Sequence, residues 1–451
     1  MSAVTREVPR RILRPFLSLV SGQVIGTALG FAFWVLTART VPVETVGVAA
    51  AAITAQPLLG KLATLGTGNH LIAELPLLRG SAQRHLLRAA AGTVAGAALV
   101  VGAVAALIAG LASDHLREGL GGALPVGTFL LGVVATSLGF MVDKAVLGLD
   151  RSDLQVLRNL VAAGLRLPLT AGLLTAGLTS APTLLLAWVL PLAVGLVVVG
   201  VRLGRLTRDP DPVPRPRWRE QVSRHGAGAL RNHALDLSLA ASPLLVPVVA
   251  AMTLPARANA EFTVAWLIAT FVFIPPYMLA TALFAASVNR TLEDFLGRMR
   301  TTLPAALGVS AALCVAAWVA GEQLLRVFGS EYAEQSARLL SLLVVAGLWM
   351  VVKDHLVVMC RVERRFDVIT RLAGGAVLLE LLGATLGAAV GGVTGLCVGW
   401  LLAQALEVYA IAPVLAGMAV SVVDPPGRES PGEADVEERR ETAAPSMEEV
   451  T

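Results

Sequence analysis

Charge is scarce in this chain. Of its 451 residues only 15% are Asp, Glu, Lys or Arg, where a soluble globular protein carries about 25%. That shortage excludes an ordinary water-facing surface. Histidine (6), cysteine (3) and tyrosine (3) are rarer still. Cys314, Cys360 and Cys397 all lie in apolar runs and share no metal-ligand spacing, which leaves them as reduced helix residues. No G-x-x-x-x-G-K-[ST] loop occurs, so no P-loop ATPase is built in. No H-E-x-x-H or C-x-x-C pair occurs either. The Gly119-Leu120-Gly121-Gly122 turn lacks the helix context of a nucleotide site. No enzyme activity, cofactor or nucleic-acid partner is expected.

Apolar residues take the place of the missing charge. They make up 55% of the chain, and mean hydropathy is +0.72. Glycine is abundant at 43 residues, as is usual in membrane helices. Apolar runs of about 20 residues, long enough to cross a bilayer, recur throughout. They predict an all-α polytopic membrane protein with about twelve spans. In the first half these are 15–39, 45–66, 86–112, 123–148, 156–179 and 181–203. In the second half they are 223–253, 259–289, 301–328, 336–362, 368–391 and 393–419. Pro57, Pro168, Pro191, Pro243 and Pro247 fall inside these runs, where each removes a backbone donor. Neighbouring membrane helices tolerate such breaks.

Lys and Arg alternate between the connecting loops. One side collects Arg79, Arg84, Arg88, Arg151, Arg158, the run from Arg202 to Arg224, Arg290, Arg298, Arg300, Arg361, Arg364 and Arg365. The other holds Arg117, Arg257, Arg326 and Arg338, mostly beside acidic residues. The positive-inside rule places the first side, and both termini, in the cytoplasm. Arg6, Arg10, Arg11 and Arg14 precede an apolar run too long for a signal peptide, so the first span reads as an anchor. Residues 1–14 are then a basic cytoplasmic N-terminus. Bundles 15–203 and 223–419 are joined by a Pro/Arg-rich linker, 204–222, whose repeated prolines favour extended chain. Residues 420–451 form an acidic tail too poor in apolar surface to fold.

Charges at mid-bilayer cost at least about 2.5 kcal/mol each on insertion scales, so they mark a cavity or a partner. Asp236, Asp354, Glu380 and Glu407 concentrate in the second half, which makes them candidate ion-coupling residues for a proton or Na+. Internal pairing, with Lys353 held by Asp236 or Glu380, accounts for the same residues equally well. Arg166 and Lys61 lie inside apolar runs of the first half. Small residues four apart, Gly22-Gly26-Gly30 and Gly383-Gly387-Gly391 continued by Gly395 and Gly399, let helices approach closely. They fit a sliding seam or static packing.

Three stretches carry a family likeness: ARTVPVETVGVAAAA (38–52), VLGLDRSDLQVLRNLVAAGLRLPL (146–169) and RVFGSEYAEQSARLLSLL (326–343). Through Arg39 and Gly47, the Gly-Leu turn with its basic entry, and Phe328, Gly329, Tyr332 and Ala333, the chain resembles the polysaccharide transporter (Wzx-like oligosaccharide flippase) branch of the MATE/MOP flippase superfamily. The resemblance implies two six-helix bundles in a V around a central cavity, working by alternating access in the cytoplasmic membrane. It implies a polyprenyl-diphosphate-linked oligosaccharide as substrate, and membrane lipids and other polysaccharide assembly proteins as partners. A basic lining would hold the diphosphate. Arg39 sits at a motif position, and Arg166 and Lys353 are taken with it as the basic set. Asp236 and Glu380 match the placement of ion sites in related lipid II flippases. Multidrug MATE exporters commonly carry an acid in their first span, and residues 15–39 have none. Drug–cation antiport is the alternative, and a non-transporting scaffold a third reading.

Overall fold

The computed structural model describes residues 29–207, 233–234, 237, 243–287, 291–363 and 365–423. Among them every regular element is helical. Helix α1 is described over 29–40, followed by α2 (Val43–Ala63), α3 (Thr67–Glu74), α4 (Gly80–Ala112), α5 (Asp114–Leu120), α6 (Ala123–Gly148), α7 (Ser152–Thr175) and α8 (Ala181–Leu206). The second half has α9 (Pro243–Thr253), α10 (Ala256–Ser287), α11 (Leu292–Leu325), α12 (Ser330–Leu343), α13 (Ala346–Val362) and α14 (Phe366–Val423). The N-terminus 1–14, most of the linker, Asp236 and the tail from 424 lie outside the described residues.

Helix ends follow local chemistry. The Thr291 hydroxyl accepts the backbone N–H of Asp294 (3.3 Å), and Glu293 and Asp294 fill the first turn of α11, where the helix dipole favours acids. Leu65 (φ 48°) and Gly66 (φ 74°) turn the chain left-handed after α2. That stops the second span at Ala63 rather than at 66, and α3 begins beyond it. The expected span 336–362 lies within one stretch long enough to cross a membrane, Ser330–Val362, in which a turn at Val344-Val345 separates α12 from α13. α14 carries the opposite surprise. Non-helical angles at Gly391 and Gly392 (φ 58°) fold it back on itself, so its two limbs correspond to the expected spans 368–391 and 393–419.

Eight of the described helical stretches are long and apolar enough to cross a membrane. One of them, Val368–Ile411, contains both limbs of α14. With α1, α7 and α9 the set is compatible with twelve spans. Only 17% of the apolar window in α4 is buried inside the protein, and Leu107, Ile108 and Leu111 stand exposed. In water such a face would be a large uncovered apolar patch. In a bilayer it faces its solvent, because every backbone group is satisfied within the helix.

The core forks. One cluster joins both halves: Trp34, Val46 and Ala50 pack with Ala250, Phe262, Trp266, Leu340 and Trp400. Beyond it the halves have cores of their own. Leu71, Leu86, Met141 and Val199 belong to the first half. Leu283, Phe295, Met359, Ile369 and Ile411 belong to the second. The molecule is therefore joined at the end where α2 and α10 begin and divided at the other.

Candidate functional site

The joined end is sealed by contacts that run from one half to the other. A Cβ on Gly47 of α2 would come within 1.8 Å of the Ala256 carbonyl oxygen, so only glycine permits this approach. The buried Asn259 Nδ2 of α10 donates to the Gly47 carbonyl at 2.8 Å. Arg39 Nε donates to the Val327 carbonyl at 2.6 Å. Phe31 meets Phe328 edge-on at 5.0 Å. Arg257 stands among three carboxylates: Glu261 at 3.4 Å, Glu44 at 3.5 Å and Glu331 at 3.9 Å. Within the second half, the Ser336 hydroxyl donates to the Glu261 carbonyl at 3.1 Å and steadies that cluster. His115 of α5 bonds the backbone of Ala251, and burial lowers its pKa below 6.5. Arg39 and Gly47, which carried part of the family likeness, thus both serve the seal.

A cavity of about 540 Å³ lies toward the divided end. Phe273, Ile274 and Tyr277 of α10 give it an apolar and aromatic wall. Its charged lining comes from Lys61 of α2, Lys353, Asp354 and Arg361 of α13, and Glu380 of α14. Both halves therefore contribute to it. Among the described residues three cations and two acids line it, and a third acid, Glu407, is bound to Lys353.

Beside the cavity, Lys353 Nζ donates to Glu380 Oε1 at 2.5 Å and to Glu407 Oε2 at 2.6 Å. Trp400 Nε1 donates to Glu380 Oε2 at 2.7 Å. Glu380 is 1% exposed and Glu407 5%. The hairpin of α14 creates this meeting. Its limbs touch backbone to backbone at Gly383–Gly399 and Gly387–Gly395, where a Cβ would come within 2.4 Å of a facing carbonyl oxygen. That antiparallel register sets Trp400 level with Glu380, and α13 packs Lys353 between the limbs. A buried charge without a partner is costly. Here two buried carboxylates and a half-buried ammonium neutralise one another down to a single surplus negative.

The expected site residues thus separate into groups. Lys353, Glu380 and Glu407 converge, and Asp354 lines the same cavity. Arg39 lies at the sealed end. Arg166 is buried in the first half, its guanidinium carbon 3.8 Å from the Trp188 ring centroid and its Nε without a hydrogen-bond partner. Asp236 lies outside the described residues. The basic set Arg39, Arg166 and Lys353 is therefore spread over three environments, and the cations that do line the cavity with Lys353 are Lys61 and Arg361. Trp400, Asn259 and the Arg257 cluster are additions that sequence reading did not single out. Trp400 had one available signal, a lone indole donor in an apolar run that needs an acceptor.

No family model and no curated protein matches the chain. Solved structures do. The inward-facing conformation of a multidrug resistance MATE family transporter of the MOP superfamily is 15% identical, with a TM-score of 0.68 over 92% of this chain and 99% of that one. An outward-facing conformation of a MATE family transporter reaches 0.53 at 13% identity, over 92% and 96%. The lipid II flippase MurJ, in an inward closed conformation, is 11% identical with a TM-score of 0.66, over 88% and 87%. The chain has the fold of the MATE/MOP transporters.

Proposed function

We propose that this protein flips a polyprenyl-diphosphate-linked oligosaccharide across the cytoplasmic membrane by alternating access. The observation that carries the reading is the pairing of a sealed end with a cavity at the other end to which both halves bring a cation, Lys61 from the first and Arg361 from the second. Such a molecule holds its ligand from one side at a time. Lys61 and Arg361 at the cavity suit a diphosphate, since charge-assisted bonds to phosphate oxygens are strong. The divided end, rich in Arg by the positive-inside pattern, faces the cytoplasm, where both termini lie. The better fit to the inward-facing than to the outward-facing MATE structure supports that orientation. Residues 15–203 rock against 223–419, pivoting at the joined end, with 204–222 the linker between them in sequence. Asp354, Glu380 and Glu407, with Asp236, are the ion-coupling residues. Lys353 lies between the coupling pair and the cavity, while Arg166 is a basic reserve inside the first half. Ligand-driven rocking requires different affinity for the two facing states, which ion occupancy of these carboxylates supplies.

Drug–cation antiport is favoured by one feature, Asp354 beside Phe273 and Tyr277, a wall that suits an aromatic cation. The polyprenyl-linked oligosaccharide pool of cells lacking this chain decides between the two. A rise in that pool with loss of surface polysaccharide supports flipping. An unchanged pool with increased drug sensitivity supports antiport.

A further inference from the structure

The Lys353–Glu380–Glu407 cluster carries an inference that deepens the reading above by naming the coupling ion. We infer that the carboxylate pair binds a proton at Glu407 and excludes a metal cation, because the Lys353 ammonium already fills the place a metal would take. The ammonium touches one oxygen of each carboxylate, at 2.5 and 2.6 Å. A sodium ion needs several oxygen ligands at comparable distances, and here it would sit against a positive charge. The Trp400 N–H takes the second Glu380 oxygen. What remains of the two carboxylates is Glu407 Oε1, which is buried and has no hydrogen-bond partner among the described residues; the Gln404 amide, three residues before it, is buried and unpartnered too. One carboxylate oxygen beside an ammonium is a poor metal site and suffices for a proton.

The charge count points the same way. Two carboxylates against one ammonium leave one negative charge in a buried place. Of the other charges, Lys353 and Glu380 are the groups that act on Glu407. Asp354 of α13 lines the cavity beside Lys353, with Arg361 at its far end and Lys61 across on α2. His355 is turned to the Val351 carbonyl at 2.8 Å. On α10, Tyr277 reaches the cavity, while Arg257 and Glu261 belong to the sealed end. On α12, Glu331 faces Arg257, and Glu334 pairs with Arg338. α11 carries its charges near its two ends, at Glu293, Asp294, Arg298, Arg300 and Glu322. In the step itself a solvent proton enters from the cavity and forms an O–H bond at Glu407 Oε1. Lys353 remains an ammonium, and the cluster passes from one negative charge to none.

The test is infrared difference spectroscopy across a pH series on the full chain in lipid vesicles, wild type against Glu407→Gln. The expected result is a protonated-carboxyl band in the wild type at neutral pH that is missing from Glu407→Gln. A wild type without the band, or a band that survives the substitution, overturns the inference. Thermal unfolding in NaCl against KCl gives a second reading. The wild-type midpoint should be the same in both salts, and Lys353→Ala should gain a sodium-dependent rise of several degrees. A wild type that sodium stabilises overturns the exclusion, and that arm holds even where Lys353→Ala does not fold. Neither readout involves transport, so a failed flipping assay overturns the functional reading alone.

Discussion

Asn259 does more at the sealed end than the ion pairs around it. Arg257 is half exposed, and exposed pairs contribute roughly 0–1 kcal/mol each. Asn259 is 1% exposed and serves a backbone carbonyl of the opposite half. Losing a buried partner costs about 1–3 kcal/mol. Asn259→Ala should therefore loosen the seal more than Arg257→Ala, read as faster disulfide loss or slower cross-linking between cysteines placed at 43 and 258. His115 gives the seal a pH dependence. Burial disfavours its charged form, so the unfolded chain takes up the proton first as pH falls. The His115 contribution is whole above 6.5 and is lost as pH drops below that value toward the folded pKa. His115→Gln should flatten this part of the stability–pH curve, measured by thermal unfolding between mildly acidic and neutral pH. The identities of Lys353, Glu380 and Glu407 were legible in the sequence, because charge in an apolar run is too costly to be idle. Their meeting was not. The separation of 27 residues is bridged by the packing of α13 on α14, and that of 54 by the α14 hairpin.

At the scale of the elements, most spans follow from apolar length, and α6 has the expected bounds of 123 and 148. The failures have physical causes. The turn between α12 and α13 falls in Val344-Val345, apolar residues that give no turn signal, and it leaves Ser330–Val362 a single span as expected. The end of α2 depends on a left-handed Leu65, which pattern alone does not reveal. The glycine ladder of α14 was visible, and the structure gives it a load: it holds the limbs in the register that sets Trp400 against Glu380. Gly387→Leu should force the limbs apart, at a cost in the range of about 1–3 kcal/mol for overpacking or somewhat above it. A lower unfolding midpoint and a changed Trp400 fluorescence would report it. Thr291→Ala removes the cap of α11 and should cost about 1 kcal/mol with no effect on the cluster.

For the whole molecule, the fork in the core sets the architecture. One apolar cluster joins the halves and separate clusters serve each half beyond it. Two bundles were legible from the charge alternation and the Pro/Arg-rich linker, whereas which end is joined was not, because it depends on contacts such as Gly47 with Ala256 that pair distant stretches. Spin labels at 65 and 363 should move together, and labels at 43 and 258 apart, when the molecule turns to its other facing state. Reconstitution tests the central claim most directly. The purified chain is placed in vesicles with a polyprenyl-diphosphate-linked oligosaccharide, and the glycan reaching the opposite leaflet is counted with an impermeant enzyme. The account predicts protein-dependent translocation that Lys61→Ala/Arg361→Ala reduces at least tenfold. Translocation no faster than in protein-free vesicles, from a chain shown to be folded, would contradict it.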